Sequence, residues 1–153
     1  MLPIGELMRR EIAVVSPGAP VRRVVEVMAG AGVEGVLVVD ELGRVIGSVG
    51  DDQLVAGLHA SRSRAWWGRL IADGDEAQAQ ERLSSQVAAD VMLRHVVAVD
   101  PTTPATTALR LFDEYGVNVM PVIDHGMLVG AAFRSDLVKR LLLPHLFGRP
   151  AET

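Results

Sequence analysis

Residues 36–47 read VLVVDELGRVIG and residues 119–130 read VMPVIDHGMLVG. Each stretch is an apolar run ended by an aspartate, then a glycine turn, then a second apolar run. That order is the signature of a strand, a tight turn and a returning strand. The two stretches are in register. Asp40 falls on Asp124 at an offset of 84; one residue is then lost in the turn, and Gly43 falls on Gly126 and Gly47 on Gly130 at an offset of 83. Reading outward, the first offset also carries Met8 onto Met92, Arg10 onto Arg94, Val15 onto Val99, Pro17 onto Pro101, Pro20 onto Pro104 and Gly32 onto Gly116. Downstream, Leu54 falls on Leu137. An indel confined to a turn, with matches on both sides of it, marks an internal repeat.

Each copy has the same physical grammar. A short helical start containing the methionine leads into an apolar stretch, 12–15 or 96–99, closed by a proline. Pro20 and Pro104 suit the first turn of a helix, where a missing N–H costs nothing. Val21, Val24, Val25 and Met28 recur at the spacing of one helical face, as do Ala105, Ala108, Leu109 and Phe112. Gly32 and Gly116 stand where such a helix ends on a left-handed residue. Strands over 36–39 and 45–49, and over 119–123 and 128–133, follow, and each copy closes with a helix over 52–59 or 135–142. The predicted unit is β-α-β-β-α, and its continuous apolar strands need helices to cover them. The fold class is therefore α/β (α+β), with repeats at 1–59 and 87–143, a helical insert at 60–86 and a tail at 144–153.

Composition narrows the function classes. A chain of 153 residues with 49% hydrophobic and 22% charged residues can bury a substantial core and excludes a disordered or low-complexity chain. No apolar run reaches the ~20 residues of a membrane span, and MLPIGELMRR lacks the apolar stretch of a secretory signal. The absence of cysteine excludes disulfides, cysteine zinc sites and thiol nucleophiles, and points to the cytoplasm. A net charge of −4 with no basic block argues against nucleic acid as partner. The insert carries Trp66 and Trp67 beside an acidic, Gln-rich run from Asp73 to Arg82. Its tryptophans are expected to staple the insert to the domain, a contact patch for a partner being the other reading.

The pattern D-V-M, V-x-x-D-P, V-M-P-V-I-D-x-x-x-L-V-G and a terminal S-D-L helix resembles the cystathionine-β-synthase (CBS) domain, and two copies in one chain resemble a CBS pair, or Bateman module. The resemblance covers residues 4–58 and 87–142. It implies two repeats packed about a pseudo-twofold axis and a regulatory binding module rather than an enzyme. It also implies two clefts that take an adenosine-containing ligand such as AMP, ATP, NAD or S-adenosylmethionine, and homodimers formed through helical faces. No cofactor is required by it.

The family's motif after the second glycine places a Ser/Thr toward phosphate and, three residues on, an Asp whose carboxylate accepts hydrogen bonds from ribose hydroxyls. The second copy keeps that Asp as Asp136 but has Phe133 in the hydroxyl position; Ser135 and Arg134 are the substitutes at hand. The resemblance adds Ile12, Ala13, Glu34 and Gly35 to this cleft. The first copy has Gly50 and Gln53 at the motif positions, so the second cleft, with Val96, Val97, Asn118 and Val119 beside Gln53, reads as degenerate. Glu34 opposes a polyphosphate. Asp136 also suits a helix N-terminus on electrostatic grounds alone, and Phe133 suits core packing. His59, His95, His125 and His145 have no metal-ligand spacing, and residues 47–50 lack the flanks of a phosphate loop. An adenosine-sensing module and a ligand-free scaffold with filled clefts are the two readings carried forward, together with an unidentified effector protein as partner.

Overall fold

The computed structural model of the chain describes residues 1–60 and 85–146. Trp66, Trp67 and the acidic run of the insert lie outside them, as does the end of the tail. The described residues divide into two compact units, one made of Met1–Ile12 with the residues from Val97 on, the other of those between Ala13 and Val96.

In the second of these units, β1 (Val14–Val15) runs parallel to β2 (Gly35–Val39), which pairs antiparallel with β3 (Val45–Gly50). Helix α1 (Val21–Ala31) connects β1 to β2, and α2 (Asp51–Ala60) follows β3. Val15, Val24, Met28, Val36, Val38 and Val49 form the core. The face predicted for α1 is corrected at one position: Val21, Val24 and Met28 are buried, but Val25 is exposed. One added residue at the 3.6 period turns Val25 past the edge of the buried stripe. Gly32 ends α1 with φ 64°, and Gly116 ends the equivalent helix with φ 65°, the left-handed cap expected from sequence.

The other unit repeats this plan. Helix α4 (Ala105–Tyr115) leads to β4 (Val119–Asp124), whose antiparallel partner is β5 (Met127–Phe133), and α5 (Arg134–Leu146) follows. Phe112, Met120, Val122 and Leu137 are fully buried here. The strand expected over 96–99 is reduced to a single parallel pairing, Val99 with Val122. The reason is Pro121. In the first copy the Leu37 N–H donates to the Ala13 carbonyl at 3.3 Å, and this bond extends β1. Pro121 stands at the position of Leu37 and has no N–H to give. Only the Val99 N–H to the Pro121 carbonyl (3.1 Å) and the Ile123 N–H to the Val99 carbonyl (2.8 Å) remain.

The units do not coincide with the sequence repeats, because each repeat sends its opening segment to the other copy. Residues 86–93, which open the second repeat, lie on the first copy's α1 and β3, and include the short helix α3 (Ala88–Val91). Residues 2–9, which open the first repeat, lie on α4 and β5 and include a 3-10 turn, Ile4–Glu6. The hydrogen bonds are the same in both. The Val21 N–H donates to the Gln86 carbonyl as that of Ala105 does to Leu2, both at 2.8 Å. The Ala88 N–H donates to Ala19 as that of Ile4 does to Thr103, again both at 2.8 Å. Side-chain size differs in opposite senses at matched buried positions: Ala88, Val21 and Val24 in the first copy correspond to Ile4, Ala105 and Ala108 in the second.

The methionines of the repeat lie just beyond these helical turns rather than inside them, and each covers a glycine. A Cβ on Gly47 would meet the Leu93 carbonyl at 2.6 Å and the Met92 sulfur at 2.7 Å; one on Gly130 would meet the Met8 sulfur at 2.6 Å and the Arg9 carbonyl at 2.9 Å. The repeat's second glycine is thus explained by close approach of a segment drawn from elsewhere in the chain.

Candidate functional site

The seven residues expected at one cleft are divided between the units. Ile12, Arg134, Ser135 and Asp136 belong to one, Ala13, Glu34 and Gly35 to the other. Of the degenerate set, Gln53 and Val96 belong to the unit of the first copy, Val97, Asn118 and Val119 to that of the second. Each unit defines a local geometry of its own.

In the second copy, β5 delivers Phe133 to the sheet's end, opposite Val119, and the chain enters α5 directly. Arg134, Ser135 and Asp136 form the first turn of that helix, where the exposed backbone N–H groups favour a carboxylate. The Arg134 N–H donates to the Asn118 carbonyl at 3.2 Å, so Asn118, assigned by sequence to the other cleft, adjoins this turn through its backbone. Phe133 and Leu137 are buried, Ser135 and Asp136 half-buried, and Arg134 exposed.

The residue that sequence reasoning missed is Arg9. Its N–H and carbonyl pair with Ala131 of β5, both bonds at 2.9 Å, which lays the segment along the strand. The guanidinium then reaches Asp136 with two bonds, Nε to Oδ2 at 2.9 Å and one Nη to Oδ1 at 3.1 Å. It also lies over the Phe133 ring, 5.1 Å from its centroid. A forked guanidinium on a carboxylate is the strong form of this bond. Partial exposure, 41% for the Arg9 side chain and 22% for Asp136, limits its stabilising effect to about 1 kcal/mol or less.

The first copy is built on the same backbone with different chemistry. Leu93 pairs with Ser48 by two backbone bonds, 3.0 and 2.8 Å, at the place where Arg9 pairs with Ala131. Gly50, opposite Gly35, replaces Phe133. Gln53 replaces Asp136, and its Oε1 accepts the Gly50 N–H at 2.8 Å. That amide oxygen caps the entry to α2. The sequence signal for Arg9 was present only as three mismatches among many, at 9/93, 50/133 and 53/136, which the fold gathers at the end of one hairpin.

Among the described residues no three His, Asp or Glu side chains gather as a metal site, and no helix is long and apolar enough to cross a membrane. The sequence matches the CBS domain twice, over residues 4–60 and 87–143.

The chain belongs to the CBS-domain family.

It carries a tandem CBS pair, a class of module that is typically regulatory rather than enzymatic. Solved CBS structures resemble it along nearly its whole length. CBSX2 from Arabidopsis thaliana is 24% identical, with a TM-score of 0.72, covering 98% of this chain and 99% of its own. A structure of CBSX2 in complex with AMP is 26% identical, with a TM-score of 0.66, covering 95% of this chain and 99% of its own. The CBS domain of a CBS-domain-containing membrane protein from Sphaerobacter thermophilus is 23% identical, with a TM-score of 0.69, covering 94% and 90%. No curated protein matches the chain by sequence.

Proposed function

We propose that this CBS pair is a cytoplasmic, non-catalytic sensor of an adenosine-containing ligand, of the AMP, ATP, NAD or S-adenosylmethionine class, and that Asp136 accepts the ribose hydroxyls. The observation that carries the reading is the placement of Asp136: a half-buried carboxylate on the first turn of α5, directly after the strand that ends in Phe133. The AMP complex of CBSX2, similar over 95% of this chain, supports adenosine as the ligand class. Ser135 and Arg134, on the same turn, are the companions proposed for it. Signalling proceeds through a homodimer or an effector protein. Exposed Val25 and Val55 on α1 and α2, and exposed Tyr115, Leu142 and Leu143 on α4 and α5, give the helices apolar surface for such an association. An open groove of about 430 Å³ bordered by Val25, Val33 and Leu54 lies on that face of the first copy.

A second reading is a ligand-free scaffold. It is favoured by the commitment of the Gln53 oxygen to Gly50 and of both Asp136 oxygens to Arg9.

The deciding experiment is a thermal-shift panel with AMP, ADP, ATP, NAD, NADH and S-adenosylmethionine on the wild type and Asp136→Ala. A ligand at a hundredfold excess over its Kd adds ~2.7 kcal/mol and raises Tm by about 5–10 °C in a domain of this size. A shift in the wild type that Asp136→Ala abolishes is the expected result. Flat curves throughout leave the scaffold, and light scattering that finds only monomer removes the dimer.

A further inference from the structure

The helices of the two copies are opposite in charge. Helix α2 carries Asp51 and Asp52 and no lysine or arginine, whereas α5 carries Arg134, Lys139 and Arg140 against Asp136 alone. The earlier helix of each copy differs in the opposite sense: α1 has Arg22 and Arg23 against Glu26, and α4 has Asp113 and Glu114 against Arg110. Shape differs as well. At an offset of 83 the exposed Ala56 of α2 is matched by the exposed Lys139 of α5, and the leucines that follow, Leu142 and Leu143, are exposed too. The first copy instead has the open groove of about 430 Å³, with Val25, Val33, Glu34 and Leu54 among its lining residues. A helix with projecting leucines and basic neighbours fits an apolar groove next to an acidic helix. Two first copies set face to face would oppose Asp51 and Asp52 to their own kind, and two second copies would do the same with Lys139 and Arg140. Like charges so placed disfavour that pairing.

We infer that this chain pairs with a second copy of itself head to tail, α5 of one chain docking on α2 and the groove of the other chain's first copy, so that unlike repeats meet. The inference rests on the homodimer reading and fixes its orientation. Lys139 and Arg140 then face the partner's Asp51 and Asp52, while Leu142 and Leu143 enter the groove. Asp136 stands in the first turn of the same helix, so a ligand held there sits on the element that meets the partner.

The chain has no cysteine, so introduced thiols report orientation without interference. Val55→Cys and Leu142→Cys, both at exposed positions, are treated with a short bis-maleimide linker, each alone and as a mixture after subunit exchange. Head-to-tail pairing links the mixture and leaves each single variant unlinked. Linkage within either variant alone, or none in the mixture when light scattering shows a dimer, overturns the inference and leaves the homodimer standing. A monomeric wild type overturns both. Charge reversal gives a second readout. Lys139→Glu with Arg140→Glu is expected to weaken the dimer by about tenfold or more, and adding Asp51→Lys with Asp52→Lys to the same chain to recover most of that loss. No recovery in the folded four-residue variant overturns the inference, because head-to-head pairing merely exchanges one set of like charges for another. The cross-links decide the orientation if the reversed chains do not fold.

Discussion

The two copies share a backbone hydrogen-bond scheme almost bond for bond, yet they differ at the place where ligand chemistry would occur. In the first copy, Leu93, Gly50 and Gln53 leave an amide tied to the chain itself. In the second, Arg9, Phe133 and Asp136 bring a cation, a ring and an anion together. Backbone pairing and core volume are therefore specified separately from the residues at the end of the hairpin. Duplication kept the first and freed the second.

The comparison is broken most severely in the core. Ile4→Ala empties a fully buried position and is expected to cost about 2–5 kcal/mol. The reciprocal Ala88→Ile overfills the buried cluster that Ala88 shares with Val24 and Val36, for about 1–3 kcal/mol. Urea denaturation of both variants checks the order; equal effects would show that side-chain size is not what distinguishes the copies. Next come the glycines under the crossing segments. Gly47→Ala is expected to destabilise by about 1–3 kcal/mol and Gly130→Ala by less. At Gly47 the nearest atom is a backbone carbonyl at 2.6 Å, whereas at Gly130 it is the sulfur of the flexible Met8 side chain and the backbone carbonyl stands off at 2.9 Å. Thermal unfolding that ranks them the other way would contradict this account of the close approach.

The smallest effect concerns acid. Asp100 accepts bonds from the Thr102 hydroxyl and from the Thr102 N–H at 2.8 Å, and these hold its carboxyl below the ordinary value. A carboxylate with a lowered folded pKa stabilises fully above its unfolded pKa, and that contribution is lost as pH falls through the folded value. The first copy has Ser16 at this place and no such dependence. Carboxyl NMR is expected to show Asp100 titrating below the usual range. Asp100→Asn should lower the neutral plateau slightly and flatten the acid limb, leaving stability unchanged at low pH, where the carboxyl is already protonated.

Much of this was legible in the sequence because the repeat doubled every signal. Glycine positions, proline helix starts and continuous apolar runs each occurred twice, and the hairpin strands and the helices flanking them fell within a few residues of expectation. What escaped were effects of distant neighbours. The shortening of the strand before Val99 follows from Pro121 in another strand, and periodicity within 96–99 contains no trace of it. The methionines read as helical residues because nothing local says that a glycine from a remote hairpin lies beneath them. Arg9 escaped for the same reason: Asp136 is 127 residues away, and only a comparison of mismatches between the copies, rather than of matches, points to it.

The reciprocal exchange of opening segments also bears on where the chain can be divided. A piece cut at the boundaries of the sequence repeats carries its own opening segment but lacks the one that covers its glycine, its helix start and part of its core. Such a half is left with a bare strand edge where the other repeat's backbone belongs. A cut that respects the fold instead keeps residues 86–93 with the first copy and supplies residues 2–9 to the second. In this protein the heritable module and the foldable module are different stretches of chain, and neither repeat could be shed without unmaking the other.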